Sequence, residues 1–264
     1  EIYQLTSKGK YYFLGRPRRF GKSLLLSTLE AYYSGRRDLF RGLYIDTVEK
    51  EWEVHPILHL DLNTANYKEP DSLDAVLNNS LTEWEKLYGA EPSETTAPLR
   101  FKGIVERAAK LTGQKTVILI DEYDKPLLQN MTNAVQQEHF RNSLKAFYSV
   151  LKTQDRYIEF ALLTGVTKFS KVSVFSDLNN LNDISMDRAY ATICGITEEE
   201  IDICFKDSVE ELARANGLTI EETRARLKEL YDGYHFTPTS AGIYNPFSVL
   251  CTFSKQEFNN YWFE

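Results

Sequence analysis

Apolar residues at the start of the chain are spaced first as in a strand and then as in a helix. Residues 10–14 form a short apolar run that ends before Gly15, which predicts a buried strand entering a turn. From Lys22 the apolar residues recur at helical spacing, and this pattern ends near Ser34. The expected buried face of the helix consists of Leu24, Leu25, Leu29 and Tyr32. A strand, a loop and a helix are therefore predicted here.

Three more apolar runs predict further strands, with helices between them. These strands are expected at residues 55–62, 116–120 and 157–164. A helix capped by Asp71 or Ser72 should bury Leu73, Val76, Leu77, Leu81 and Trp84, and two more helices are expected at 99–111 and 134–151. The run 116–120 is uninterrupted, which is typical of a strand buried on both faces of a parallel sheet. This alternation predicts a three-layer α/β core with a mainly parallel sheet and right-handed crossovers.

Beyond Gly195 the pattern predicts helices only. Capping boxes are expected at Thr197 with Glu200 and at Thr219 with Glu222. A last helix is expected to begin at Asn245 and Pro246. We therefore predict a core over residues 1–195 and a small helical subdomain over 196–264, for which a winged-helix-like arrangement is one option.

The net charge and the cysteine count make some classes of protein improbable. The chain has 264 residues, a formal net charge of −7 and three cysteines, none in a CxxC pair. An acidic chain is not expected to bind nucleic acid by general electrostatic attraction, and scattered cysteines favour core thiols over a disulfide framework or a zinc ribbon. Neither a signal peptide nor a membrane span is indicated, so a cytoplasmic protein is expected, although the sequence begins at Glu1 rather than Met.

The strongest chemical signal is Phe20-Gly21-Lys22-Ser23, at the junction of the first strand and helix. There, backbone N–H groups and a helix N-terminus can converge on phosphate groups. In a phosphate loop (P-loop), Lys22 would reach the β- and γ-phosphates, the Ser23 hydroxyl would bind Mg²⁺, and Gly21 would let the backbone approach closely.

The loop departs from the usual pattern GxxxxGK[ST], because Arg16 stands at the first glycine position and Gly15 lies one residue too early. A basic surface turn ahead of a helix is the alternative interpretation. We expect the loop's arginines to lie in the nucleotide site or at its rim rather than on a DNA-binding surface. Arg18, Arg19 and Leu24 complete the set of expected nucleotide contacts.

A second signal is the apolar strand at 117–120, which ends in Asp121 and Glu122. This is the Walker B pattern, in which Asp121 would hold Mg²⁺ and Glu122 would orient and deprotonate the attacking water. Acidic residues at a strand end can instead merely cap the next helix. Thr164, at the end of the following strand, is the candidate sensor of the γ-phosphate, and Lys168 and Lys171 are alternatives.

Taken together, these residues resemble the AAA-ATPase-like family that is widespread in Bacteroidetes and other anaerobes. The matching stretches are residues 16–24, 120–124, 164–173, 193–195 and 244–248, spread over nearly the whole chain. The resemblance implies a P-loop ATPase that uses ATP and Mg²⁺, and an arginine at the first glycine position is typical of the family. It also implies a nuclease-like domain of the PD-(D/E)XK type after this segment, with residues 260–264 as the junction.

Several functions remain to be separated. A GTPase is excluded by the lack of a DxxG glycine after Asp121 and of an NKxD motif, and a kinase is disfavoured because Glu122 suits water activation. A nuclease within this segment is not expected, because Tyr123 occupies the acidic position of a (D/E)xK motif ending at Lys125. The main alternative to an ATPase is a nucleotide-gated binding module with little or no turnover. Homo-oligomerisation stays open.

Overall fold

The chain folds into two compact units, and the first of them contains the sheet. A computed structural model describes residues 1–166, 180–238 and 240–261. The first unit comprises Glu1–Gly15 and Ser23–Ile184, and the second comprises Arg16–Lys22 and Ser185–Glu264. The short loop Arg16–Lys22 therefore belongs to the second unit, although the residues on either side of it belong to the first.

Five strands form one parallel sheet in the first unit. They are β1 (Tyr11–Gly15), β2 (Ile57–Asp61), β3 (Thr116–Asp121), β4 (Ile158–Gly165) and β5 (Asn182–Asp183). Their order is β2-β3-β4-β1-β5, and every neighbouring pair is parallel. The four predicted strands and the parallel sheet are confirmed. Because all carboxyl ends lie at one edge, the ends of β1, β4 and β3 stand side by side there.

Helices cover both faces of this sheet. They are α1 (Ile2–Lys8), α2 (Lys22–Tyr33), α3 (Tyr44–Val48), α4 (Ser72–Tyr88), α5 (Ala97–Thr112), α6 (Lys125–Leu128) and α7 (Ala134–Thr153). One face packs Ile118, Ile120 and Leu163 into a core with the apolar sides of α4, α5 and α7. On the other face, the ring of Phe160 lies 5.4 Å from that of Tyr33 in α2. Side chains alternate across a strand, so both faces are buried and β3 is buried throughout. The predicted three-layer core is confirmed.

The buried faces of the helices follow the predicted stripes except in α2. Leu73, Leu77, Leu81 and Trp84 of α4 are buried as expected. In α2 the buried side chains include Leu25, Leu26, Leu29 and Tyr33, whereas Leu24 is 71% exposed. A helix turns about 100° per residue, so Leu24 lies roughly opposite the centre of that face. Its assignment to the buried stripe was wrong.

The second unit combines helices with a small antiparallel hairpin. Its elements are α8 (Glu198–Cys204), α9 (Lys206–Asn216), α10 (Ile220–Tyr231), β6 (Asp232–Tyr234), β7 (Ile243–Tyr244) and α11 (Pro246–Lys255). Both predicted capping boxes are present with their reciprocal hydrogen bonds, at Thr197 and at Thr219. The side chain of Asn245 caps α11 by accepting from the Ser248 N–H.

The expectation of helices alone after Gly195 was wrong, because β6 pairs with β7 and Ile196 forms a bridge with Tyr244. Strands of two or three residues are too short to produce a readable period in the sequence. The three cysteines are free, and Cys204 is exposed rather than a core thiol. In the described ranges, no helix combines the length and apolarity that crossing a bilayer requires.

Candidate functional site

Three polar side chains converge at the carboxyl edge of the sheet in the first unit. The Asp121 carboxylate accepts a hydrogen bond from the Ser23 hydroxyl through Oδ2 and one from the Thr164 hydroxyl through Oδ1, each at 2.5 Å. Asp121 is 4% exposed and Thr164 is fully buried. Ser23 is exposed, so the cluster extends from the buried carboxylate to the surface.

The sheet order explains why these residues meet. In β3 and β4, Ile120 pairs with Leu163, so the next residues, Asp121 and Thr164, end neighbouring strands at the same level. Strand β1 lies on the other side of β4, and the chain returns from the loop after β1 at Ser23, near the start of α2. Because β4 lies between β1 and β3, its end can contact groups contributed after both.

This cluster has the chemistry of a Mg²⁺ site. Carboxylate and hydroxyl oxygens are hard ligands, and Mg²⁺ is usually held by one or two protein groups together with phosphate oxygens and water. Within the described ranges, no three His, Cys, Asp or Glu side chains group together as a metal site. Phosphate oxygens and water can complete the coordination of a Mg²⁺ ion held by Asp121 and Ser23.

The chain after Asp121 makes a sharp turn. Glu122 has a φ of 52°, in the left-handed region that residues with side chains seldom adopt. The Tyr123 N–H donates to the Thr164 carbonyl at 2.9 Å, and the buried Asp124 carboxylate accepts from the Val166 N–H at 3.1 Å. These hydrogen bonds hold the turn against the end of β4, so the strained conformation of Glu122 is fixed by its neighbours.

The phosphate-loop lysine lies within the second unit. Lys22 is 4% exposed, and its ammonium donates to the carbonyl oxygens of Arg16 at 3.1 Å and Pro17 at 3.2 Å. Arg19 and Gly21 both have positive φ, at 66° and 89°. Glycine adopts this conformation without strain, which explains Gly21. The loop therefore has a curled backbone that Lys22 closes with its own side chain.

Two of the loop's arginines bind groups of the second unit. Arg16 is 1% exposed and donates to the carbonyl oxygens of Ser185 at 2.7 Å and Tyr190 at 2.9 Å. Its guanidinium lies 3.8 Å from the centre of the Phe236 ring. Arg19 donates to the Tyr261 carbonyl at 2.8 Å. Arg18 and Arg19 are both exposed, unlike Arg16. That all three arginines lie in or around a nucleotide site stays a prediction.

Phe20 and Leu24 can contribute to phosphate binding only through their backbone. The Phe20 ring is buried and packs edge-on against Tyr234 at 4.6 Å and Phe236 at 5.6 Å. The Leu24 side chain points to solvent. Their N–H groups belong to the loop and to the first turn of α2, where a helix N-terminus attracts anions.

Sequence reasoning did not identify the partners of the loop, which are Ser185, Tyr190, Tyr234, Phe236, Phe247 and Tyr261. Carbonyl partners leave no trace in residue type, although aromatic residues cluster at 234–236. Lys168 and Lys171 lie outside the described residues.

The chain is similar to proteins of a described family. A family model described as "Predicted AAA-ATPase" matches residues 2–175. A curated relative, "Uncharacterized protein in vnfD 5'region" of Azotobacter chroococcum mcd 1, is 40% identical over 264 residues, which cover 99% of this chain and 48% of the relative. The chain thus spans about half the length of this relative.

Proposed function

Because the chain belongs to the AAA-ATPase-like family, we propose that it binds ATP with Mg²⁺ and hydrolyses it, and that this cycle regulates an attached or partner domain. The convergence of Ser23 and Thr164 on the buried Asp121 carboxylate carries this proposal. Ser23 directly follows Lys22 in the sequence, so a phosphate-binding cation and a metal-binding oxygen occupy adjacent residues.

Each residue has a distinct role in the proposed reaction. Lys22 turns from its loop carbonyls to the β- and γ-phosphates, and the backbone N–H groups of residues 18–24 cradle them. Mg²⁺ held by Ser23 and Asp121 would neutralise charge on the phosphates. Glu122 orients the attacking water and takes its proton.

Thr164 supplies a hydroxyl beside the γ-phosphate. It also orients the Asp121 carboxylate through the hydrogen bond between them, and so links phosphate sensing to the metal ligand. The Asp121 carboxylate near the end of β3 therefore lies beside the Thr164 hydroxyl near the end of β4. This arrangement supports ATP hydrolysis over simple binding of phosphate.

One observation favours the second candidate, a nucleotide-gated module with little or no turnover. Arg16, Arg19 and Phe20 hold the phosphate loop within the second unit through carbonyl hydrogen bonds and aromatic contacts. Phosphates entering the loop would have to change these contacts, so binding alone could alter the second unit. Turnover would not be required for such a signal.

The relative's greater length supports a further domain in the complete protein. We propose that this domain is nuclease-like, as the resemblance implies, and that the ATPase segment regulates it in the cytoplasm. We do not expect the segment to bind nucleic acid alone, because its net charge is −7. Strong, salt-dependent binding of duplex DNA without nucleotide would contradict this.

The decisive experiment measures binding and turnover on the same purified chain. ATP, ADP and GTP are titrated with and without Mg²⁺, and phosphate release is followed. We expect ATP to bind more tightly with Mg²⁺ and more tightly than GTP, and phosphate to be released. Ser23→Ala should remove most of the Mg²⁺ dependence, with Ser27→Ala on the exposed face of α2 as the matched control.

Binding without turnover, tested also at high protein concentration to allow oligomers, would favour the gated module. Lack of nucleotide binding would refute both candidates.

A further inference from the structure

A small acidic cavity lies in the first unit at the edge of the sheet where the strands begin, opposite the edge where they end. It is close to His55, which precedes β2, and to Glu159, near the start of β4. The last residues of α2 also line it. Its volume is about 210 Å³, and its lining includes Glu49, Glu51, Glu53, Glu159, Tyr33 and His55.

The four glutamates give this cavity a negative charge that its basic neighbours only partly balance. Lys115 lies 3.7 Å from Glu159, and His55 lies 3.6 Å from Glu53. For Glu49, burial acts to raise the pKa, but hydrogen bonds from Tyr32 and from backbone N–H groups lower it overall. Glu49 is therefore an anion at neutral pH. The cavity attracts cations.

Tyr33 supplies a second, independent indication of a ligand. Its side chain is 5% exposed and lines the cavity. Its hydroxyl makes no hydrogen bond to the residues that the structure describes, so it can bond to a ligand in the cavity. Burial, followed by Tyr32 and Glu159, raises the pKa of Tyr33 far above its usual value. The hydroxyl is thus neutral, and its oxygen can accept a hydrogen bond from a ligand.

The shape and chemistry of the cavity favour an organic cation over a metal ion. The described part of the chain contains no group of three or more potential metal-ligating side chains close enough to hold a metal. The volume lies below the roughly 300–1,000 Å³ of pockets for drug-sized ligands. A hydroxyl oxygen and carboxylates around a small space can instead accept several N–H donors.

We propose that this cavity binds the protonated nitrogen of an alkylammonium or guanidinium group, with Tyr33 and Glu159 as hydrogen-bond acceptors. The group can belong to a free diamine or to a lysine or arginine side chain. The aromatic ring of Tyr32, also in the lining, adds a face that attracts cations. This site is independent of ATP binding.

The test is calorimetric titration of the chain at low ionic strength. Putrescine and agmatine represent free amines, and lysine amide with a blocked backbone nitrogen represents a protein side chain. We expect saturable one-to-one binding of at least one probe. Tyr33→Phe and Glu159→Gln should each weaken it about tenfold or more, as expected when a hydrogen bond to a charged group is lost.

Two control variants separate a built site from general charge attraction. Tyr44→Phe alters a tyrosine that is 72% exposed, and Glu83→Gln removes the same charge as Glu159→Gln on the surface of α4. Both should bind like the parent. Tyr33→Phe removes a hydroxyl without a partner, so its melting temperature should not fall. If it fails to fold, Glu159→Gln decides.

The proposal is overturned if no probe saturates, if Tyr33→Phe and Glu159→Gln bind like the parent, or if Glu83→Gln weakens binding equally. Displacement of the amine by Mg²⁺ at lower concentration would assign the cavity to a metal ion instead. Preference for the blocked lysine over both amines would support the site and identify a protein side chain as its ligand.

Discussion

The polar cluster of the first unit and the loop of the second unit are held in place by different means. The cluster of Ser23, Asp121 and Thr164 is fixed by strand order and by hydrogen bonds between its own members. The loop Arg16–Lys22 is fixed by residues far away in the sequence, through Arg16 and Arg19. The cluster is thus built by the core of the sheet, whereas the shape of the loop depends on the rest of the second unit.

This difference separates charged residues that suit a ligand from charged residues that support the fold. Asp121 and Lys22 have side chains whose chemistry matches a ligand, and they are expected to affect nucleotide binding and turnover. Arg16 is equally basic, but its guanidinium satisfies two carbonyl groups and covers an aromatic ring. We therefore expect it to affect stability and the shape of the loop.

The largest effect is expected from Glu122→Gln. In its proposed role, Glu122 would contact the attacking water and not the nucleotide, so hydrolysis should slow by about 10²–10⁴-fold while ATP affinity stays nearly unchanged. Steady-state phosphate release and an ATP titration measure the two quantities, with Glu83→Gln as the control. Unchanged hydrolysis would exclude Glu122 as the base, and Asp124 or a residue from another subunit would become the candidate.

Arg16→Ala should lower the free energy of unfolding by about 2–4 kcal/mol, because the carbonyl groups of Ser185 and Tyr190 each lose a hydrogen bond and the ring of Phe236 loses its contact with the guanidinium. Arg18→Ala removes an exposed side chain and should change it by less than about 0.5 kcal/mol. Denaturant unfolding compares the two. Equal stability of both variants would mean that Arg16 does not support the loop.

Lys22→Ala tests the phosphate-binding role proposed for the loop. In that role the ammonium would make charge-assisted hydrogen bonds to the β- and γ-phosphates, so its loss should weaken ATP binding by about 1.5–3 kcal/mol. Lys86→Ala, which removes an exposed lysine of α4, is the matched control. ATP binding by Lys22→Ala with the parent's affinity would place the phosphates elsewhere.

The smallest effect is expected from Thr164→Val, which keeps the shape of the side chain. The Asp121 carboxylate loses one hydrogen bond in a buried site, which should lower the free energy of unfolding by about 1–3 kcal/mol. Thr164→Ser keeps the hydroxyl, so its free energy of unfolding should fall by less. If both variants are equally stable, the hydrogen bond to Asp121 does not contribute to folding.

Local sequence patterns predicted those strands and helices whose formation depends on residues nearby in the sequence. The apolar run before Asp121 and the capping box at Thr197 are confirmed because strand burial and helix capping act over a few residues. The exposed side of Leu24 was missed, since a helix whose first turns are rich in leucine has more than one plausible buried face. The sequence also did not predict the hairpin of β6 and β7.

The position of the candidate metal ligands could be inferred because parallel strands end at a common edge. The environment of Arg16 could not be inferred in the same way. Its partners are the backbone carbonyls of Ser185 and Tyr190, and any residue type can supply a carbonyl. Only the order in which the chain passes through the second unit brings them together.

The discontinuous second unit has a consequence for the timing of folding. Arg16 pairs with carbonyls 169 and 174 residues later, and Arg19 pairs with one that is 242 residues later. Contacts of such long sequence separation close large loops and form slowly. During synthesis Arg19 of the loop emerges 242 residues before its partner Tyr261. A nascent chain therefore has most of its sheet before it has a finished phosphate loop, so nucleotide would bind late in biogenesis.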